Sequence, residues 1–167
     1  MMFDFVGQLV IGWLMADLVT GAFHWWEDEF GCEEWPVIGP WLIAPNRLHH
    51  IEPLAFAANG FWGRNRESIL LAAVVGIGWV LLAPSAFMVS FLAGAALANE
   101  VHFLAHSPKH AGLAVRVLQQ TGLLQSPKAH AAHHRPPFSQ NYCVLTDWLN
   151  PILEAVGFWR RAERIFR

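Results

Sequence analysis

ILLAAVVGIGWVLLAPSAFMVSFLAGAALA, residues 69–98, contains no charged residue. A single helix of that length would measure about 45 Å at 1.5 Å per residue, which is too long for one untilted crossing of a ~30 Å hydrocarbon core. Pro84-Ser85 divides the run. It predicts one short span over roughly residues 67–83 and another over roughly 86–104, joined by a tight turn. A further apolar segment runs from about Phe5 to Phe23, close to the ~20 residues a span needs. The expected architecture is therefore all-α, an integral membrane bundle of about three spans. One long kinked helix in place of the hairpin would leave two.

The totals agree with a membrane protein. Of 167 residues, 54% are hydrophobic and only 14% charged, against roughly 25% charged in an average soluble domain. The length suits a single domain over 1–167. A net charge of −2, with no basic patch interleaved with aromatics, excludes nucleic acid as a partner. Cys32 and Cys143 form no CxxC, so neither a disulfide framework nor a zinc ribbon is expected. The start MMFDFVGQLV lacks a positive n-region and a cleavage site, so the first run reads as a retained anchor.

Charge sets the orientation. With three spans, all eleven Lys and Arg residues fall on one side, which the positive-inside rule makes cytoplasmic, here that of a bacterial inner membrane. The histidines fall on that same side or at span ends facing it, so a cytosolic histidine face is expected. Beyond the third span, HSPKHAGLAVRVLQQTG predicts an interfacial helix started by Ser107 and Pro108 and ended near Gly122. The tail EAVGFWRRAERIFR mixes aromatics with arginines and suits a second interfacial helix. Trp25, Trp26, Trp35 and Trp41 read as interfacial anchors.

The stretch SPKAHAAHHRPPF, residues 126–138, carries the densest chemistry. Ser126 caps, Pro127 starts, and Pro136-Pro137 ends a short helix on which His130, His133 and His134 share one face. His102 and His106 repeat the i, i+4 spacing at the end of the third span, but HFLAH lacks the Glu of HExxH, so a metallopeptidase is disfavoured. His49 and His50 sit together in the loop after Asn46, followed by Glu52. In DLVTGAFHWWED, residues 17, 21, 24 and 28 line one helix face. Asp17 is the deepest charge in any span and a candidate for function or for helix packing. Asp28 reads as a carboxylate that orients an imidazole rather than as a ligand. His110 belongs to no cluster.

Eight clustered histidines, 24, 49, 50, 102, 106, 130, 133 and 134, exceed what one four-coordinate metal needs and suit two metals with open positions. Imidazole alone does not name the metal. A dinuclear iron centre beside a lipid suits dioxygen-dependent removal of hydrogen from an unactivated C–H bond. The rival from another class is a small histidine-rich metal permease or metal-binding membrane protein, which predicts ligands along a mid-span path.

ADLVTGAFHWWED, HHIEP, NEVHFLAH and HAAHHRPPFSQNYCVLTDWLNPILEAVGFWRR resemble, in order, the membrane lipid desaturase family of the plasmanylethanolamine desaturase, Kua and CarF type. The resemblance implies two non-haem iron ions and O2 as cofactors, a membrane phospholipid as substrate, and an external electron donor such as a cytochrome or ferredoxin. It implies His24, His49, His50, His102, His106, His130, His133 and His134 as metal ligands. Asp17, Asp28, Glu52, Glu100, Asn141 and Asp147 are expected to support the ligands or meet substrate. The reaction implied is lipid desaturation, with the vinyl ether of plasmalogens, made from alkyl ether phospholipids, as one product. Acyl-chain desaturation or hydroxylation of a phospholipid is the alternative. Ala129 and Asp147 depart from the family's usual pattern.

Overall fold

The computed structural model describes residues 2–55, 59–82 and 84–167. They form helices α1 (Met2–Phe30), α2 (Ala44–Ile51), α3 (Gly60–Leu82), α4 (Ala86–His106), α5 (Leu113–Gln120), α6 (Pro127–His133), α7 (Leu149–Ala155) and α8 (Phe158–Phe166), with no strand among the described residues. A π-helical turn, Gly39–Ile43, leads directly into α2. His49 and His50 therefore stand on a helix, not in the loop expected after Asn46.

The charge-free run does break at its proline. Ser85 adopts an extended backbone and its hydroxyl accepts from the Met88 N–H, starting α4 as a separate helix. This rules out one long kinked helix. Two helices, Asp4–Phe30 and Ala86–His106, are long and apolar enough to cross a membrane by length and composition. Exposed Val10, Ile11 and Met15 on α1, and Leu70, Leu71, Val74 and Ile77 on α3, give these helices greasy outer faces.

α4 is the central helix, with α1 along one side and α3 along the other. Small residues allow the close α1–α4 approach. A Cβ on Gly94 would lie 2.7 Å from that of Ala16. The Ser90 hydroxyl donates to the Leu9 carbonyl at 2.6 Å. α3 is pinned by Glu100, whose carboxylate accepts from Arg64 at 3.0 Å and Asn65 at 2.9 Å. Arg64 also lies over the Phe103 ring, 3.9 Å from its centroid. The C-terminal ends of α1 and α4 thus point the same way, carrying His24 with His102 and His106 to one end of the bundle.

Residues 142–146 run without helix along α1, where Asp17, Gly21 and His24 of the expected face meet them. The Asp17 carboxylate accepts from the Leu145 and Thr146 N–H groups at 2.7 and 3.1 Å and from the Thr146 hydroxyl at 2.6 Å. One turn on, Gly21 lets Cys143 approach: a Cβ there would lie 2.7 Å from its Sγ and 2.9 Å from its Cα. Asn150 and Gln125 both donate to the Cys143 carbonyl, at 2.8 and 2.7 Å. Asn150 also accepts from the Cys143 N–H. Irregular backbone beside an apolar helix is stable only when its polar groups are met inside the protein, and these side chains meet them.

Two further features differ from expectation. The segment after α4 is not one helix from Ser107 to Gly122: a 3-10 turn over Pro108–His110 is followed by extended Ala111 and Gly112 before α5 begins. The Arg116 side chain donates to the Ala111 carbonyl and holds this break. Trp25 is not an interfacial anchor but is buried against Tyr142 and Trp159.

Candidate metal centre

Four segments deliver the histidines. His24 comes from α1, His49 and His50 from α2, His102 and His106 from α4, and His130 and His133 from α6, with His134 as its C-cap. α6 forms where expected because the Ser126 hydroxyl accepts from the Ala129 N–H at 3.2 Å. The Asp147 carboxylate in turn accepts from the Ser126 N–H at 2.8 Å, locking the start of α6 to the chain beyond it.

All eight expected histidines converge and His110 does not join them. His24, His49, His50 and His133 form one group, and His49, His102, His106, His130 and His134 another, each with ligand atoms within 4.8 Å of one another. His49 belongs to both.

In the first group the outward nitrogens are already committed. Nδ1 of His24 faces the Tyr142 carbonyl at 3.1 Å, that of His133 the Gln140 carbonyl at 2.8 Å, and that of His49 the Asn46 carbonyl. A carbonyl only accepts, so each Nδ1 carries the hydrogen and each Nε2 keeps its lone pair. Nε2 of His24 and of His133 are buried with no hydrogen bond, as is the Asp28 Oδ2 they face at 3.6 and 3.4 Å. Buried polar atoms without partners are costly, and here three of them aim at one point. The donor set fits a cation.

Asp28 does two things. Its Oδ1 accepts from Asn46 at 2.6 Å and lies 3.1 Å from Nε2 of His50, orienting that ring with Nδ1 inward. Its Oδ2 stands on the same side as the ligand nitrogens, closer in than the orienting role expected for it.

In the second group, Nε2 of His106 lies 3.1 Å from that of His102 and 2.8 Å from that of His130, which is 3.0 Å from that of His134. An imidazole nitrogen either donates once or accepts once in its plane, so His106 and His130 cannot satisfy two such contacts by hydrogen bonds. Metal–nitrogen bonds of about 2.0–2.1 Å place neighbouring ligand nitrogens about 2.8–3.4 Å apart, from right-angled to tetrahedral geometry. The spacing matches a ligand set.

Burial and the neighbouring imidazoles hold His49, His130 and His133 well below the usual histidine range, and His134 down to about 4. These rings are neutral at physiological pH, the form a metal requires. Burial and the Glu29 carboxylate raise the Tyr142 phenol, whose hydroxyl donates to Glu29 at 2.9 Å.

The other expected residues support the frame without reaching an imidazole. Asp17 holds the 142–146 segment, Glu100 pins α3, and Asp147 caps α6. Asn141, with a left-handed φ of 58°, donates its N–H to Glu154 at 2.9 Å. Glu52 caps α2 by its backbone, and its side chain is exposed. Asn46, Gln125 and Gln140 were not singled out from the sequence. Asn46 could have been, since it stands one turn before His50; Gln140 meets His133 through its backbone carbonyl, which leaves no signal, while its side-chain amide donates to the Ala132 carbonyl of α6 at 3.0 Å.

The lipid desaturase domain family matches residues 13–167. The chain belongs to that family. It is 32% identical to plasmanylethanolamine desaturase of Myxococcus xanthus over 96% of this chain and 59% of the relative. It is 30% identical to plasmanylethanolamine desaturase 1 of Mus musculus over 95% of this chain and 64% of the relative. The chloroplastic fatty acid desaturase 4 of Arabidopsis thaliana is 29% identical over 93% of this chain and 49% of its own length. The chain thus spans about three fifths of the first two relatives. No solved structure matches it. The eight histidines of this lipid desaturase domain all lie within the matched residues.

Proposed function

We propose that this protein is an O2-dependent membrane lipid desaturase whose eight histidines hold two iron ions, with Asp28 beside the first. The observation that carries the reading is the convergence of lone-pair nitrogens on two adjacent points. Bound iron would supply the activation of dioxygen needed to take hydrogen from an unactivated C–H bond.

The chain's own part is placement. His24, His102, His130 and His133 are buried, while His50, His106 and His134 are only partly buried, so a lipid chain approaches from their side. The buried side, backed by Tyr142, keeps water from the metals. α1, α3 and α4 span a bacterial inner membrane with the histidine end in the cytoplasm, where the arginines and lysines collect. An alkyl ether phospholipid is the first substrate to test, following the names of two relatives; acyl-chain desaturation or hydroxylation is the second. A cytochrome or ferredoxin supplies electrons.

The permease reading is disfavoured by Asp17. Its carboxylate is occupied by three hydrogen bonds from residues 145 and 146, so the deepest charge lines no metal path. The test is metal analysis of detergent-purified protein, with lipid profiles of cells carrying wild type or His133→Ala. About two irons per chain and a new alkene abolished by the substitution are expected. Fewer than one iron, or unchanged lipids in a host supplying ether and acyl phospholipids, would refute the assignment.

A further inference from the structure

Behind the first histidine group the packing is aromatic. The Tyr142 ring lies against His133 and His24, with centroids 5.3 and 6.0 Å apart. Trp159 of α8 packs on Tyr142 at 5.1 Å, and Phe158, partly exposed, packs on Trp159 at 5.0 Å. Three ring contacts therefore join the protein surface to a proposed metal ligand. Trp159 is 3% exposed, yet its indole N–H has no hydrogen-bond partner. A phenylalanine would fill the space without burying an unmet donor.

The surface above this stack is basic. Arg160, Arg164 and Arg167 follow i, i+4 and i+7 on α8, with Arg161 beside them, and all four are exposed. Arg167 is engaged by Glu163 at 2.7 Å and Glu29 at 3.7 Å, whereas Arg160, Arg161 and Arg164 face outward. Glu29 also accepts from the Tyr142 hydroxyl, tying this face to the ring path beneath it.

We propose that α8 is the docking face for an acidic one-electron carrier protein, and that Trp159 and Tyr142 form the route by which its electrons reach the histidine cluster. This rests on the desaturase reading above. Each transfer oxidises the carrier by one electron and reduces the histidine-held iron by one. Two transfers and two protons from solvent, with the two hydrogens taken from the lipid, reduce one O2 to two H2O. Electronic coupling falls steeply across gaps, so contiguous rings carry an electron better than aliphatic packing. A lipid-headgroup role for the arginines would explain their charge but not the ring stack beneath them.

The test uses iron-loaded full chain in nanodiscs with an acidic [2Fe–2S] ferredoxin as probe. The triple variant R160E/R161E/R164E is expected to weaken ferredoxin binding about tenfold or more at low salt and to flatten its salt dependence. Trp159→Leu should bind ferredoxin normally yet accept its electrons several-fold more slowly in stopped-flow, while Trp159→Phe retains most of the rate. Dithionite, a small reductant, should reduce all variants at the wild-type rate. Unchanged ferredoxin affinity in the triple variant overturns the docking face, including the outcome in which only dependence on anionic lipid changes. An unchanged transfer rate in Trp159→Leu overturns the route. If dithionite-reduced wild type fails to desaturate, the desaturase reading is at fault instead.

Discussion

In the group of His24, His49, His50 and His133, the ring nitrogens turned away from the centre end on backbone carbonyls or on Asp28. In the group of His102, His106, His130 and His134, by contrast, Nδ1 of His130 and of His134 is buried without a hydrogen bond. The first set has its lone pairs fixed before any metal arrives. The second leaves two tautomers to be chosen by the ion. Partners behind a ligating imidazole are typically worth 10–100-fold in affinity, so the two sites should differ in how tightly they hold iron.

Asp28→Ala gives the largest expected effect. It removes a carboxylate from the better-ordered group, and iron by elemental analysis should fall from about two per chain to about one or fewer. His134→Ala should empty only the other site. If Asp28→Ala retains a full complement while His134→Ala loses it, the contrast is reversed.

Gly21→Ala sharpens the same contrast at the level of packing. The new methyl would meet Cys143 at 2.7–2.9 Å, pushing residues 142–146 off α1 and drawing the Tyr142 carbonyl from His24. Thermal unfolding should show a loss of about 1–3 kcal/mol, the usual cost of overpacking. Full stability would mean that the segment does not brace the first group.

The smallest effect is on pH dependence. In metal-free protein His134 has a folded pKa of about 4 against an ordinary value of 6.5. Above 6.5 both states are neutral and its contribution is complete. As pH falls from 6.5 towards 4 the unfolded chain takes up a proton that the folded chain refuses, so stability declines. His130 adds to the same acid loss. Thermal melts over this range should fall with acid, and His134→Gln should make the decline shallower.

Much of this was legible in the chain. Histidines at i, i+3 and i+4, a Ser–Pro start and a double-proline stop define α6, since capping and helical period are local. The hairpin was legible for the same reason: Pro84-Ser85 interrupts an otherwise continuous run. Residues 142–146 were not, because nothing in Cys143 or Leu145 says that its backbone will be met by Asp17, Gln125 and Asn150 from other elements. Asp28 was found, but its two-sided role depends on where α2 and α6 bring their rings. The break at Ala111 and Gly112 was missed because a good Ser–Pro start says nothing about a later carbonyl claimed by Arg116.

The 142–146 segment also bears on the order of biosynthesis. Asp17 and Leu145 are 128 positions apart, and His24 meets the Tyr142 carbonyl across 118. While the ribosome is making α3 and α4, α1 already carries a buried-type carboxylate with nothing to bind. The Asp17 carboxylate gains its three hydrogen bonds only once the closing segment has emerged. A stalled or nicked product would expose Asp17, a ready mark by which membrane quality control could tell unfinished copies from complete ones.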